Sequence, residues 1–345
     1  YDGVAPTAAI TYSSSGPYTS GQVVTITATF SEPIADSPVP EITITGSGGL
    51  STIASTDMTK SSTTVYTYTY SVPNETGSGT VTITDGTDVP GNNVTTTPTS
   101  GATFSVDNTG PTISVVVTNN DDSSTINNTS PPTTTNASAI TATFTTSEVT
   151  TDFLSSHVVV NGGSLDSFSG SGTTYTAVIT PSSEIVRINV SANRFTDAVG
   201  NLNSALTQFV VFSDTTAPTN QNDVFPSAAY ETVGGTVTIV SSGTASNQVW
   251  IAPAGTSSFS AGATMTQAAS GTSTSMTAPT TAGTYYIYVI DQAGNVSSAS
   301  TAALTVGNAG FTKSKTAVTV TEAGAGNTAT FTVVLGAQPD SDVVI

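Results

Sequence analysis

The sequence predicts an all-β protein: antiparallel β-sandwiches joined end to end in an extended rod. Three observations predict it. Runs such as Val23-Val-Thr-Ile-Thr-Ala-Thr-Phe30 alternate apolar and polar residues with period two, as a strand with one buried face does. A short motif recurs as Asp2-Gly-Val-Ala-Pro6-Thr7, Asp107-Asn-Thr-Gly-Pro111-Thr112 and Asp214-Thr-Thr-Ala-Pro218-Thr219, its prolines about 105 residues apart, the size of one sandwich module. Helical periodicity is missing throughout, and threonine at this density favours strands.

Each copy of the motif reads as a joiner between modules, because proline fixes its own φ and pushes the preceding residue out of the α region. The modules are therefore expected at 1–106, 107–213 and 214–307, with 308–345 as the truncated start of a fourth. The chain opens on a joiner motif and stops in a strand-like run at Ile345, so both ends are expected to be cuts from a longer polypeptide.

Charged residues make up only 8% of the 345, against roughly a quarter in an average soluble domain, so solubility must rest on Ser, Thr, Asn and Gly. The charges are lopsided, 23 acidic against 5 basic, for a formal net charge of -18. Such a field repels nucleic acid and anionic membrane and favours cations. Cysteine is absent, which excludes disulfides and thiolate sites. No apolar run approaches the roughly 20 residues of a membrane-spanning helix. Abundant Thr, Ser and Gly with scarce Lys suggests an extracellular or cell-surface chain.

In the first module, Val23–Phe30, Glu41–Thr45, Val65–Tyr70 and Thr80–Thr84 are the expected strands. Tyr66, Tyr68 and Tyr70 share one strand face and are expected to cover the core. The second module repeats the layout with Ser138–Phe144, His157–Val160, Tyr175–Ile179 and Val186–Val190, and its polar stretch from Asn119 to Pro132 reads as an exposed loop. The third carries the most apolar strand, Tyr285–Ile290, and the single tryptophan, Trp250, expected in that module's core. The tail offers Ala317–Val320, Ala329–Leu335 and Asp342–Ile345, too little chain to close a sandwich alone.

A second motif recurs late in each module: Asp88-Val-Pro-Gly-Asn92, Asp197-Ala-Val-Gly-Asn201 and Asp291-Gln-Ala-Gly-Asn295. Each reads as the turn of the final hairpin, where Gly and Asn accept positive φ. An acid also follows the second strand in two modules, Phe30-Ser-Glu32 and, more loosely spaced, Phe144-Thr-Thr-Ser-Glu148. In an antiparallel sandwich every second loop returns to the pole where the chain enters. Asp2, Glu32 and Asp88 should therefore meet in the first module, Asp107, Glu148 and Asp197 in the second, and Asp214 with Asp291 in the third.

Carboxylates so gathered, with almost no Lys or Arg nearby, repel one another unless a cation neutralises them. An all-oxygen donor set without His or Cys selects a hard ion, and Ca²⁺ fits its flexible six- to eightfold coordination better than Mg²⁺ fits strict octahedral geometry. Asp85, Asn108 and the Asn of each late turn are further candidate ligands. Asp, Gly and Asn are also ordinary turn formers, and for any single turn that plainer reading competes. The last junction, Val306-Gly-Asn-Ala-Gly-Phe311, lacks the entry Asp and is expected to hold no such site.

These motifs resemble the bacterial immunoglobulin-like repeats of large surface adhesins and biofilm-associated proteins, most closely in the second module through Ser147-Glu-Val, Val158-Val-Val-Asn-Gly-Gly-Ser-Leu165 and Phe195-Thr-Asp-Ala-Val-Gly-Asn201. The resemblance implies immunoglobulin-like sandwiches acting as tandem spacers that hold a ligand-binding tip away from the cell, stiffened by Ca²⁺ at the junctions. Through Val318-Thr-Val-Thr-Glu-Ala-Gly324 and Phe331-Thr-Val-Val-Leu335 the tail resembles the opening of a Calx-β module.

Catalysis has little support: the single histidine, His157, starts a strand with no evident partner. The expected function is a non-enzymatic, calcium-stiffened spacer of a large surface protein, whose ligand contacts lie elsewhere in the parent chain. The alternative is a self-associating subunit of an extracellular fibre, matrix or surface layer.

Overall fold

The computed structural model describes residues 3–128 and 133–308, together with the backbone of two short strands at 311–313 and 333–335. Three hydrophobic clusters follow one another along the chain, from Ala8 to Val106, from Ile113 to Val211 and from Val224 to Val306, each enclosed by its own sheets.

The first comprises β1 (Ala8–Tyr12), β2 (Val23–Phe30), β3 (Glu41–Ser47), β4 (Ile53–Asp57), β5 (Thr59–Lys60), β6 (Val65–Ser71), β7 (Gly77–Thr84) and β8 (Thr103–Val106). They form two four-stranded sheets, β1-β2-β6-β5 and β4-β3-β7-β8. Alternation sets the faces: β2 buries Val24, Ile26, Ala28 and Phe30 and turns Thr25, Thr27 and Thr29 away from the core. Across the β2–β6 register Thr25 meets Thr69 and Thr27 meets Thr67, so a ladder of hydroxyls solvates a nearly uncharged face. Tyr66 and Tyr70 are buried, Tyr66 edge-on to Phe30 and Tyr70 to Phe104, and Tyr68 packs partly buried beside them.

The second comprises β9 (Ile113–Asn119), β10 (Thr125–Ile126), β11 (Thr134–Thr135), β12 (Ile140–Thr150), β13 (Val158–Asn161), β14 (Gly163–Pro181), β15 (Ile185–Val190) and β16 (Phe209–Ser213), in sheets β10-β9-β12-β14 and β11-β16-β15-β13. β14 folds back on itself: Thr180 Oγ1 donates to Asp166 at 2.6 Å and Ser169 Oγ pairs with Thr176 Oγ1 at 3.1 Å. The stretch expected as an exposed loop is partly a strand, since Ile126 is buried and β10 pairs with β9. Residues 129–132 of it lie outside the described residues. A two-residue strand is too short for alternation to announce it.

The third comprises a single helical turn, α1 (Gln221–Val224), and β17 (Ala229–Thr232), β18 (Thr236–Thr238), β19 (Gln248–Ala252), β20 (Thr266–Gln267), β21 (Ser275–Thr277), β22 (Gly283–Ile290) and β23 (Ala303–Gly307). A five-stranded sheet, β17-β23-β22-β19-β20, faces the pair β18-β21. Trp250 is buried, but not in the sandwich core. It packs with Tyr288, Ile290 and Phe259 in a separate cluster. β19 is buried at both Val249 and Trp250, so both its faces are covered and strict alternation no longer assigns the core side.

In the second and third modules an early strand runs parallel to the last, β11 with β16 and β17 with β23, a pairing that local sequence cannot show. In the tail, β24 (Phe311–Lys313) pairs antiparallel with β25 (Val333–Leu335). β25 overlaps the expected Ala329–Leu335, while the expected Ala317–Val320 and Asp342–Ile345 lie outside the described residues.

Candidate metal centre

The site is assembled by three pieces of the second module's entry pole. Asp107 follows β8 directly. Its N–H donates to Tyr18 O at 2.8 Å in the first module, and its carbonyl accepts from Asn201 Nδ2 at 3.1 Å in the second. One residue is thus held from both sides of the joint. Its carboxylate also accepts the Thr109 N–H at 3.1 Å.

Glu148 sits where β12 loses register with β14, between Thr145 and Thr150. That irregularity re-aims the strand end. A reciprocal pair fastens it to the entry segment: Ser147 N–H donates to Thr112 O at 3.0 Å and Thr112 N–H to Ser147 Oγ at 2.9 Å. The first module repeats this device with Ser31 and Thr7, at 2.9 and 3.0 Å. The pairing makes Ser31-Glu32 equivalent to Ser147-Glu148 despite their different spacing from the preceding Phe, because Thr146 pairs with Ile113 as Phe30 pairs with Ala8, and Phe144 stands two residues earlier on its strand.

Asp197 organises the late turn. Its Oδ1 accepts N–H groups from Val199, Gly200 and Asn201 at 2.9, 2.7 and 2.9 Å, and its Oδ2 accepts Asn201 Nδ2 at 2.8 Å. Gly200 takes φ +97, with Gly91 at +100 and Gly294 at +95 in the sister turns, a conformation that glycine adopts without strain. These turns are closed by the bridges Thr87–Asn93, Thr196–Leu202 and Ile290–Val296. They are therefore tight turns within the connection to the last strand, and not the tip of a simple hairpin as expected.

Asp107, Glu148 and Asp197 each place a carboxylate oxygen within 4.8 Å of the other two. Among the described residues this is the one group of three or more His, Cys, Asp or Glu so arranged. Asp197 is buried and the other two are half-buried. Burial pushes the Glu148 carboxyl up from its ordinary range, and the Asp107 and Asp197 charges push it further. The donor set is all oxygen, and oxygens about 2.4 Å from a shared ion can stand up to about 4.8 Å apart, so the spacing fits a Ca²⁺-sized cation.

The other predicted residues are placed as follows. Asp2 lies outside the described residues. Asp88 is buried and caps its own turn, its oxygens accepting the Gly91 and Asn92 N–H groups and Asn92 Nδ2 at 2.7, 2.6 and 2.6 Å. Burial opposes ionisation there, but these bonds hold the carboxyl below its ordinary range. The Glu32 loop reaches that turn through the Ile34–Asp88 bridge. In the third module Asn295 Nδ2 donates both to Asp214 O at 2.8 Å and to Asp291 Oδ2 at 3.0 Å, which links the two predicted acids without a third carboxylate.

One further candidate is corrected. Asn108 does not face the cluster: its carboxamide is consumed by the first module, for the physical reason that three backbone groups there complement it. Nδ2 donates to Glu75 O and Pro73 O at 2.6 and 3.2 Å, and Oδ1 accepts the Ser20 N–H at 2.6 Å. Asp85 is an exposed turn residue at φ +49. Sequence reasoning also missed Asp152, whose carboxylate accepts the Thr196 N–H at 3.0 Å and ties the loop after β12 to the late turn. Its lone position outside any repeat left no signal. His157 is engaged locally, accepting the Leu154 N–H at 3.3 Å and stacking on Phe153.

Residues 107–213 match the family model of a bacterial Ig-like domain. The second module is a bacterial Ig-like domain. The flanking modules, which lie outside the match, share its Asp-x-x-x-Pro joiners and Asp-x-x-Gly-Asn turns. Among solved structures, the FN1–FN3 domains of chicken CNTN1 align at 13% identity over 86% of this chain and 97% of that one, TM-score 0.33. The surface-layer protein SbsC aligns at 10% identity over 96% of this chain and 63% of that one, TM-score 0.22. Neither likeness bears on how the modules are arranged or on what the chain does. A search of curated proteins returned no match.

Proposed function

We propose that this chain is a non-enzymatic spacer segment of an extracellular or cell-surface bacterial protein, and that Ca²⁺ bound by Asp107, Glu148 and Asp197 stiffens its first joint. The observation that carries the reading is the position of Asp107. Its backbone is shared between two modules while its carboxylate stands with two acids of the second. Without a cation the three charges repel across the joint; with one, the joint is drawn to a fixed angle and the binding free energy adds to the stability of the second module. The bacterial Ig-like assignment and the low-charge, threonine-faced sheets support a surface location.

The test is small-angle scattering of the whole chain with and without millimolar Ca²⁺, paired with thermal melts in the same buffers. A longer, stiffer particle with a raised Tm in Ca²⁺ supports the spacer reading. Indifference of shape and melting to Ca²⁺ overturns it, and concentration-dependent polymerisation would favour a self-assembling role instead.

A further inference from the structure

The two joints repeat one design but not one set of contacts. Each entry Asp donates its N–H backwards, Asp107 to Tyr18 O at 2.8 Å and Asp214 to Thr135 O at 2.9 Å, and each takes a forward clasp from an asparagine, Asn201 at 3.1 Å and Asn295 at 2.8 Å. The next residue differs. At the first joint Asn108 plugs the gap between the joiner and the loop before β7, through three side-chain hydrogen bonds and one from its own N–H to Thr76 Oγ1 at 2.9 Å. Thr76 Oγ1 also pairs with Thr109 Oγ1 at 2.7 Å.

At the second joint Thr215 stands in that place. The corresponding gap, between Pro181–Glu184 and Ser213–Thr216, is an open cleft of about 330 Å³. Among the described residues no side-chain hydrogen bond crosses it, and Thr215, Thr216 and Ala217 are exposed. A threonine hydroxyl is too short to reproduce the two-donor, one-acceptor pattern of a carboxamide.

A second difference is independent of the first. Gly110 lies so close to the second module that a Cβ there would stand 1.9 Å from Leu202 O. Only glycine allows that approach. The equivalent residue at the second joint is Ala217, which carries the Cβ that Gly110 lacks.

We propose that the 213–217 joiner is the hinge of the array: even before any ion binds, the ties of Asn108 and Gly110 make the first joint the stiffer of the two, leaving Ca²⁺ to fix its angle, while the second, with two hydrogen bonds to backbone carbonyls and Asn136 lying beside Gly294, bends more. This inference does not rest on Ca²⁺, so its test is run in chelator. Because the chain has no cysteine, pairs of introduced cysteines label cleanly. Thr29→Cys with Val116→Cys spans the first joint and Val116→Cys with Thr277→Cys the second, all three being exposed sheet positions.

Double electron–electron resonance on the full chain should give a narrower distance distribution across the first joint than across the second. Thr215→Asn with Ala217→Gly should narrow the second, a gain that misfolding cannot mimic. Asn108→Thr should broaden the first while leaving the melting of the third module unchanged. Equal widths in the parent chain, or widths indifferent to the exchanged residues, would overturn the proposal.

Discussion

Replacing Glu148 with Gln isolates the electrostatic part of the first joint. The change keeps shape and hydrogen-bonding capacity but removes one of three charges whose oxygens lie within 4.8 Å of one another. At that separation one pair of unit charges costs about 1 kcal/mol in bulk water and about 3–4 kcal/mol at an effective dielectric of 20. Glu148 faces two such partners but is half-buried, so solvent screening argues for the lower end, about 1–2 kcal/mol in total. For a domain of this size that raises the Tm by roughly 5–10 °C in chelator.

Millimolar Ca²⁺ should then invert the order. The parent chain gains about 2.7 kcal/mol if the ion is 100-fold above its Kd, and the Gln variant gains much less. The pH dependence has a definite sign. Because the folded-state Glu148 pKa is raised, the protonated parent loses its repulsion, so the advantage of the Gln variant is full at neutral pH and fades as pH falls through the raised value, to nothing below 4.5. Calorimetry in chelator and in Ca²⁺ between pH 4 and 7 reads all of this. A Gln variant that melts lower than the parent in chelator, or that responds to Ca²⁺ as the parent does, would refute the reasoning.

Other outcomes follow from single contacts. Asp152→Asn weakens the tie to the Thr196 N–H. Since hydrogen bonds outweigh burial and lower the Asp152 pKa, its stabilisation is present above pH 3.8 and lost as pH falls through the lower folded value, so parent and variant melts should converge in acid and separate at neutral pH. Asn201→Ala removes one hydrogen bond to a carbonyl and one to a carboxylate, about 2–4 kcal/mol by denaturant melts of the second module. Trp250→Phe should leave no tryptophan emission, whereas Phe259→Ala, at a partly buried position, should red-shift it and cost about 1–2 kcal/mol, an effect visible in urea titrations of the third module only.

The strands were legible because alternation reports the buried face directly: β2 begins and ends where its pattern of Val, Ile, Ala and Phe against Thr begins and ends. The convergence of Asp107, Glu148 and Asp197 was legible because topology returns alternate loops to one pole, and the Asp residues are marked by repeats. Trp250 was not, since a strand covered on both faces carries no periodicity to tell core from outer cluster. Nor was the direction of Asn108: beside an Asp in a joiner it reads as a ligand, and only the backbone carbonyls of Pro73 and Glu75, more than 30 residues earlier, decide otherwise.

Local sequence, then, determined by itself what depends on near neighbours: strand identity, turn glycines and the sign of the charge. Tertiary structure alone decided what depends on groups far apart in the chain. It set the parallel closure of β11 on β16 and β17 on β23, the clasp of Asn201 on Asp107, and the difference between a plugged joint and an open one. The physical reason is that hydrogen-bond complementarity between distant backbone groups has no period and leaves no trace in composition.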